Sequence, residues 1–182
     1  MDSSLNKVLL VSGLRGTGKS IGVLQAMQGR NAVYIIMEQG IHTSAEEVIQ
    51  VLSSRKEDII VLDEYTWVQN RKESELDGFL YTLASHGKRV IITGTESLCL
   101  EALKTGPLIH RAITLHTTHM SFCEYCRLYD KPMDQNACDI YLTQGGIFES
   151  YVIKNEHTMA NYIEEAIIAN LKGYVRDYRA LF

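Results

Sequence analysis

Eight residues, GLRGTGKS at positions 13–20, constrain the fold of this chain more than any other stretch. The glycines Gly13, Gly16 and Gly18, with Leu14, Arg15 and Thr17 between them and Lys19 and Ser20 behind, match a loop whose backbone N–H groups wrap phosphates while its lysine reaches the terminal ones. Such a loop must follow a buried strand and open a helix. Residues 7–11 (KVLLV) supply the apolar run, and residues 20–28 (SIGVLQAMQ) place Ile21, Leu24 and Met27 at helical spacing. The alternative, a glycine-rich turn with an idle lysine, leaves that strand, loop and helix order without a reason.

The rest of the first two thirds alternates in the same way. Residues 32–37 (AVYIIM), 59–62 (IIVL), 89–93 (RVIIT) and 112–115 read as buried strands. Between them, a helix over residues 44–53 starts at Ser44 with Glu47 three positions on, the spacing of a capping box. A helix over 73–86 carries Leu76, Phe79, Leu80 and Leu83 on one face and stops at Gly87, and another spans 96–104. Continuous apolar strands alternating with helices predict an α/β fold, a five-stranded parallel sheet covered on both faces. Such sheets bind ligands at the carboxyl ends of their strands.

Chemistry is expected at those ends. Asp63 and Glu64 follow the apolar run of the third strand, where the first acid can hold the water shell of a Mg2+ bound to Ser20 and the second can polarise an attacking water. Read otherwise, the pair caps a following helix. The fourth strand ends in TGTES at 93–97, so the hydroxyl of Thr93 or Thr95 can report on a terminal phosphate. Arg111 could act as a finger toward transition-state charge, in its own subunit or a neighbour's, or simply pair with an acid at the surface.

Net charge bounds the partners. At −4 over 182 residues, with basic runs no longer than pairs such as Arg71-Lys72, the chain has no electrostatic footprint for nucleic acid. The amino terminus is too short and polar for a signal peptide and no apolar run approaches membrane-spanning length, so a cytoplasmic location is expected. The four cysteines are then expected as reduced thiols. His116, His119, Cys123 and Cys126 form a tetrahedral zinc set on paper, but the pairs lie only three residues apart, so the cysteines read as small core hydrophobes of a helix that buries Met120, Phe122, Tyr125 and Leu128. Residues 138–142 and 151–172 read as mostly helical, with Tyr162, Ile163, Ala166, Ile167 and Leu171 at core-like spacing. Tyr174 and Tyr178 read as packing residues.

Taken together, these segments resemble the AAA+ superfamily of ATPases: GLRGTGKS as Walker A, IIVLDE as Walker B and RVIITGTES as the sensor-1 strand. More narrowly, TGTES, Arg111, HMSFCEY at 119–125 and YLTQGGIFE at 141–149 resemble predicted prokaryotic AAA+ ATPases in which a P-loop domain precedes a C-terminal domain of poorly known function. His119 stands where those proteins usually have proline, and Ile147-Phe148 where they have Phe-Pro. The resemblance implies phosphate binding by Gly13, Leu14, Arg15, Gly16, Thr17, Gly18, Lys19, Ser20 and Ile21, with Lys19 on the β- and γ-phosphates. It further implies Mg2+ at Ser20 and Asp63, catalysis by Glu64, sensing by Thr93 or Thr95, and Arg111 reaching ATP across a subunit contact in a homo-oligomer. Relatives usually carry more chain at both ends, which implies a shortened member or a piece that lacks part of the adenine pocket and the effector domain.

The expected division is a P-loop ATPase core over residues 1–118 and a helical lid, or the start of a further domain, over 119–182. The expected activity is Mg-dependent ATP hydrolysis coupled to conformational change. Two alternatives stay open at this point: a nucleotide-binding switch or scaffold without turnover, and a small-molecule P-loop kinase, which the scarcity of arginines after Leu115 disfavours. The biological client, protein or nucleic acid, is not legible.

Overall fold

The computed structural model describes residues 8–37, 44–67, 75–95, 97–106, 108–144 and 146–147. The expectations for residues 151–172, Tyr174 and Tyr178 lie outside the described residues. The chain falls into two compact units, one of the residues through Ser12 together with Lys19–His116, the other of Gly13–Gly18 together with the chain from Thr117 onward.

The first unit is built on the sheet. In chain order its elements are β1 (Val8–Gly13), α1 (Lys19–Met27), β2 (Ala32–Ile36), α2 (Ala45–Ser53), β3 (Ile59–Asp63), a 3-10 turn at Tyr65–Trp67, α3 (Glu75–Ser85), β4 (Arg89–Gly94), α4 (Ser97–Thr105) and β5 (Ala112–Thr117). Strand order across the sheet is β2-β3-β4-β1-β5, and the pairs β2/β3, β3/β4 and β4/β1 run parallel. The α/β sandwich expected from the apolar periodicity is therefore the fold observed. β4 lies between β1 and β3, so its carboxyl tip stands beside that of β3, with Leu62 in register with Ile92.

Alternation within each strand assigns the two faces. Val8, Leu10, Ile60, Leu62, Val90 and Ile92 face Val48 and Leu52 of α2, Leu76, Leu80 and Ala84 of α3, and Leu100 and Leu103 of α4 in one buried cluster. Val11, Val61 and Ile91 face the other way with Val23 of α1, and Met27 and Tyr34 pack against them. Both strand faces are covered, which is why β3 is buried at all five positions.

Local signals set the helix ends. Ser44 and Glu47 form the expected capping box, Glu47 N donating to Ser44 Oγ at 3.2 Å and Ser44 N to Glu47 Oε2 at 2.9 Å. Gly87 takes φ +87°, and Lys88 N donates to Leu83 O while Gly87 N donates to Ala84 O, the paired bonds that close a helix on a left-handed residue. The 3-10 turn after Asp63-Glu64 replaces the longer helix that this pair could have capped.

In the second unit, α5 (Phe122–Leu128) and α6 (Gln135–Gln144) bury Met120, Tyr125, Cys126 and Ala137 with Phe122, Tyr129 and Tyr141 around them. Tyr141 donates from its hydroxyl to Met120 O at 2.7 Å, and its ring lies 5.5 Å from Phe122 and 5.7 Å from Tyr125. Among the described residues, no helix is long and apolar enough to cross a membrane.

Candidate functional site

Asp63 receives three side-chain hydrogen bonds at the strand tips. It ends β3, is 4% exposed, and lies on the sheet face that α1 covers, because Ile36 pairs with Asp63 and Val61 with Tyr34 in the register. Ser20, in the first turn of α1, donates from Oγ to Asp63 Oδ1 at 3.0 Å. The Thr93 hydroxyl, fully buried at the tip of β4, donates to the same oxygen. Tyr34 of β2 donates from its phenol to Asp63 Oδ2 at 2.5 Å. Three hydroxyls thus hold one buried carboxylate, which a charge in a dry site requires. The donor set is all oxygen, with Ser20 and Asp63 side by side, and suits a hard cation such as Mg2+.

Glu64 is shaped by the same threonine. Its φ is +54°, a left-handed value that costs a non-glycine residue on the order of 1 kcal/mol or more. The Glu64 N–H donates to Thr93 Oγ1 at 3.1 Å, so the hydroxyl that donates to Asp63 also accepts from the next residue and fixes this turn. The Glu64 side chain leaves the strand direction and receives the Thr95 hydroxyl, 3.0 Å from Oε1 and 3.2 Å from Oε2. Sequence reasoning brought Ser20, Asp63, Glu64, Thr93 and Thr95 forward, and all five share this hydrogen-bonded cluster.

Tyr34 was missed. An apolar run such as AVYII reads as buried strand throughout, and only its register against β3 shows that the phenol lands on Asp63. Burial, and then the hydrogen bond to Asp63, raise the Tyr34 phenol above its ordinary value of 10.0, so it stays protonated and able to donate.

The glycine loop belongs to the second unit. Gly16 and Gly18 adopt φ of 78° and 79°. Nothing lies within 4 Å of a Cβ placed at Gly18, so backbone conformation alone calls for glycine there. Alternating handedness of this kind turns successive N–H groups toward an anion. Gly13 is glycine for a different reason: a Cβ there would collide with the hydroxyl and carbonyl oxygens of Thr117. Thr17 donates to Leu14 O at 2.8 Å, which leaves its oxygen to accept from Thr117 at 2.7 Å. His119 Nε2 lies 3.4 Å from Arg15 O, so Thr117 at the end of β5 and His119 just beyond it hold the loop at two points.

Other expected site residues lie as follows. Lys19 opens α1 and is 6% exposed, whereas Ile21 is 58% exposed. Arg111 is an exposed residue just before β5, with its guanidinium 4.8 Å from the centre of the Tyr81 ring. Cys126 is buried, with its thiol 3.8 Å from Pro132 O, and Cys123 is exposed. Among the described residues no group of three or more His, Cys, Asp or Glu side chains is gathered to hold a metal ion.

A family model described as an AAA domain matches residues 5–126, two thirds of the chain. No curated protein matches. Among solved structures, the replication initiator DnaA bound to AMPPCP and single-stranded DNA is 13% identical with a TM-score of 0.46, over 98% of this chain and 60% of that one. AMPPCP-bound DnaA from Aquifex aeolicus is 15% identical with a TM-score of 0.47, over 98% of this chain and 61% of that one. The DnaC helicase loader is 16% identical with a TM-score of 0.36, over 64% of this chain and 81% of that one. The chain spans about three fifths of the length of the two DnaA structures.

Proposed function

The chain belongs to the AAA domain family of AAA+ P-loop ATPases, and on that premise we propose that it binds ATP with Mg2+ and hydrolyses it, coupling nucleotide state to a change in conformation. The observation that carries this reading is the cluster at the strand tips, where two adjacent carboxylates are held apart and given different partners. A simple binder needs only the first acid; the second, turned away and held by Thr95, is the group a hydrolase requires.

The proposed roles are these. Backbone N–H groups of residues 13–18 and the amino-terminal end of α1 hold the phosphates, and Lys19 reaches the terminal ones. Ser20 and Asp63 would hold the cation, which when bound neutralises charge on the β- and γ-phosphates. Glu64 orients a water and accepts its proton. Thr93 keeps the two acids in their separate settings, and Thr95 orients Glu64. Arg111, exposed just before β5 with its guanidinium over the Tyr81 ring, reaches the nucleotide of a neighbouring copy, so the active form is a homo-oligomer. Residues 119–182 serve as a helical lid or lead into a further domain. Release of inorganic phosphate from Mg-ATP, and its loss on Glu64→Gln, tests the reading.

A further inference from the structure

We infer that Tyr34 is a positioning residue for the cation site, its phenol fixing the rotation of the Asp63 carboxylate so that Oδ1 stays directed at Ser20. The inference rests on the proposed Mg-nucleotide reading and deepens it.

The division of labour on Asp63 is the starting point. Ser20 and Thr93 both donate to Oδ1, and Tyr34 is the donor on Oδ2, at 2.5 Å. Donors on Oδ1 resist rotation of the carboxylate about its Cβ–Cγ bond through that one oxygen only. A donor on the second oxygen adds an independent restraint from the opposite side of the group. Tyr34 can do this because it and Asp63 share a sheet face and the ring spans the two-residue offset between the Tyr34–Val61 and Ile36–Asp63 pairs. β2 is the edge strand on that side of the sheet, so the donor arrives from an element that carries no other part of the proposed site.

A packing role is the competing account, since the Tyr34 ring lies against the Val11–Val61–Ile91 cluster. Removing only the hydroxyl separates the two. Outer hydrogen-bond partners of metal-ligating groups typically contribute about 10- to 100-fold to metal affinity. Tyr34→Phe in the full chain is therefore expected to raise the Mg2+ concentration at half-saturation of fluorescent-ADP binding by about tenfold or more. ADP affinity in EDTA should stay within about twofold of wild type, and melting should remain cooperative. An unchanged Mg2+ midpoint overturns the inference and leaves the Mg-nucleotide reading standing. Equal losses of ADP affinity with Mg2+ and with EDTA also overturn it, because they mean that the hydroxyl supports packing. A wild-type chain whose ADP binding ignores Mg2+ overturns the cation reading itself, and the inference with it.

Discussion

The Thr95 hydroxyl lies 3.0 Å from Glu64 Oε1 and 3.2 Å from Oε2, at the tip of the strand beside the one that carries Glu64. A single donor shared between both oxygens orients the carboxylate without consuming either. Thr95→Val keeps the shape and removes the donor. Hydrogen bonds to charged groups contribute about 1.5–3 kcal/mol, so phosphate release should fall about tenfold or more while ADP affinity stays unchanged. Steady-state turnover beside equilibrium binding checks this, and full turnover in the variant would remove Thr95 from the account.

The left-handed backbone at Glu64 predicts a separation between stability and activity. Glu64→Ala and Glu64→Gly both lose the carboxylate, but alanine retains the strain of φ +54° and glycine does not. The glycine variant should be more stable by about 1 kcal/mol and melt about 2–4 °C higher, with neither variant hydrolysing ATP. Equal melting temperatures would mean that the turn relaxes once the side chain is gone.

Burial raises the pKa of the Cys126 thiol, with the neighbouring Cys123 adding to the effect. Less thiolate is then present at neutral pH, and access is poor. Iodoacetamide should label exposed Cys123 well before Cys126, and Cys126 labelling should increase as the pH is raised above 9.0, the ordinary thiol value. Mass spectrometry of timed samples measures both sites. Comparable rates at neutral pH would contradict the packing of α5.

Much of this site was legible because its residues are punctuation. Glycines, an acid pair after IIVL and hydroxyls after RVIIT interrupt apolar runs, so periodicity locates them at strand ends. Tyr34 sits inside such a run and is indistinguishable there from a core residue. The S-x-x-E of Ser121 and Glu124 stands at the head of the helix expected around Phe122 and Tyr125 and is the spacing of a helix start. It forms a second capping box, Ser121 N donating to Glu124 Oε2 at 2.7 Å and Glu124 N to Ser121 Oγ at 3.3 Å. Gly146 has a steric basis, since a Cβ there would strike the Met120 carbonyl and come within 2.9 Å of His119 Cβ. Contacts between residues far apart in sequence, such as Thr17 with Thr117, follow from strand order, which no local pattern encodes.

The central claim, that two adjacent acids divide cation holding from water activation, is tested most directly by phosphate release from Mg-ATP by the chain beside Glu64→Gln, at several protein concentrations. The account predicts turnover that rises more than linearly with concentration and falls by about a hundredfold or more in the variant, with ADP binding retained. Equal turnover in both proteins, or none in either, would contradict it.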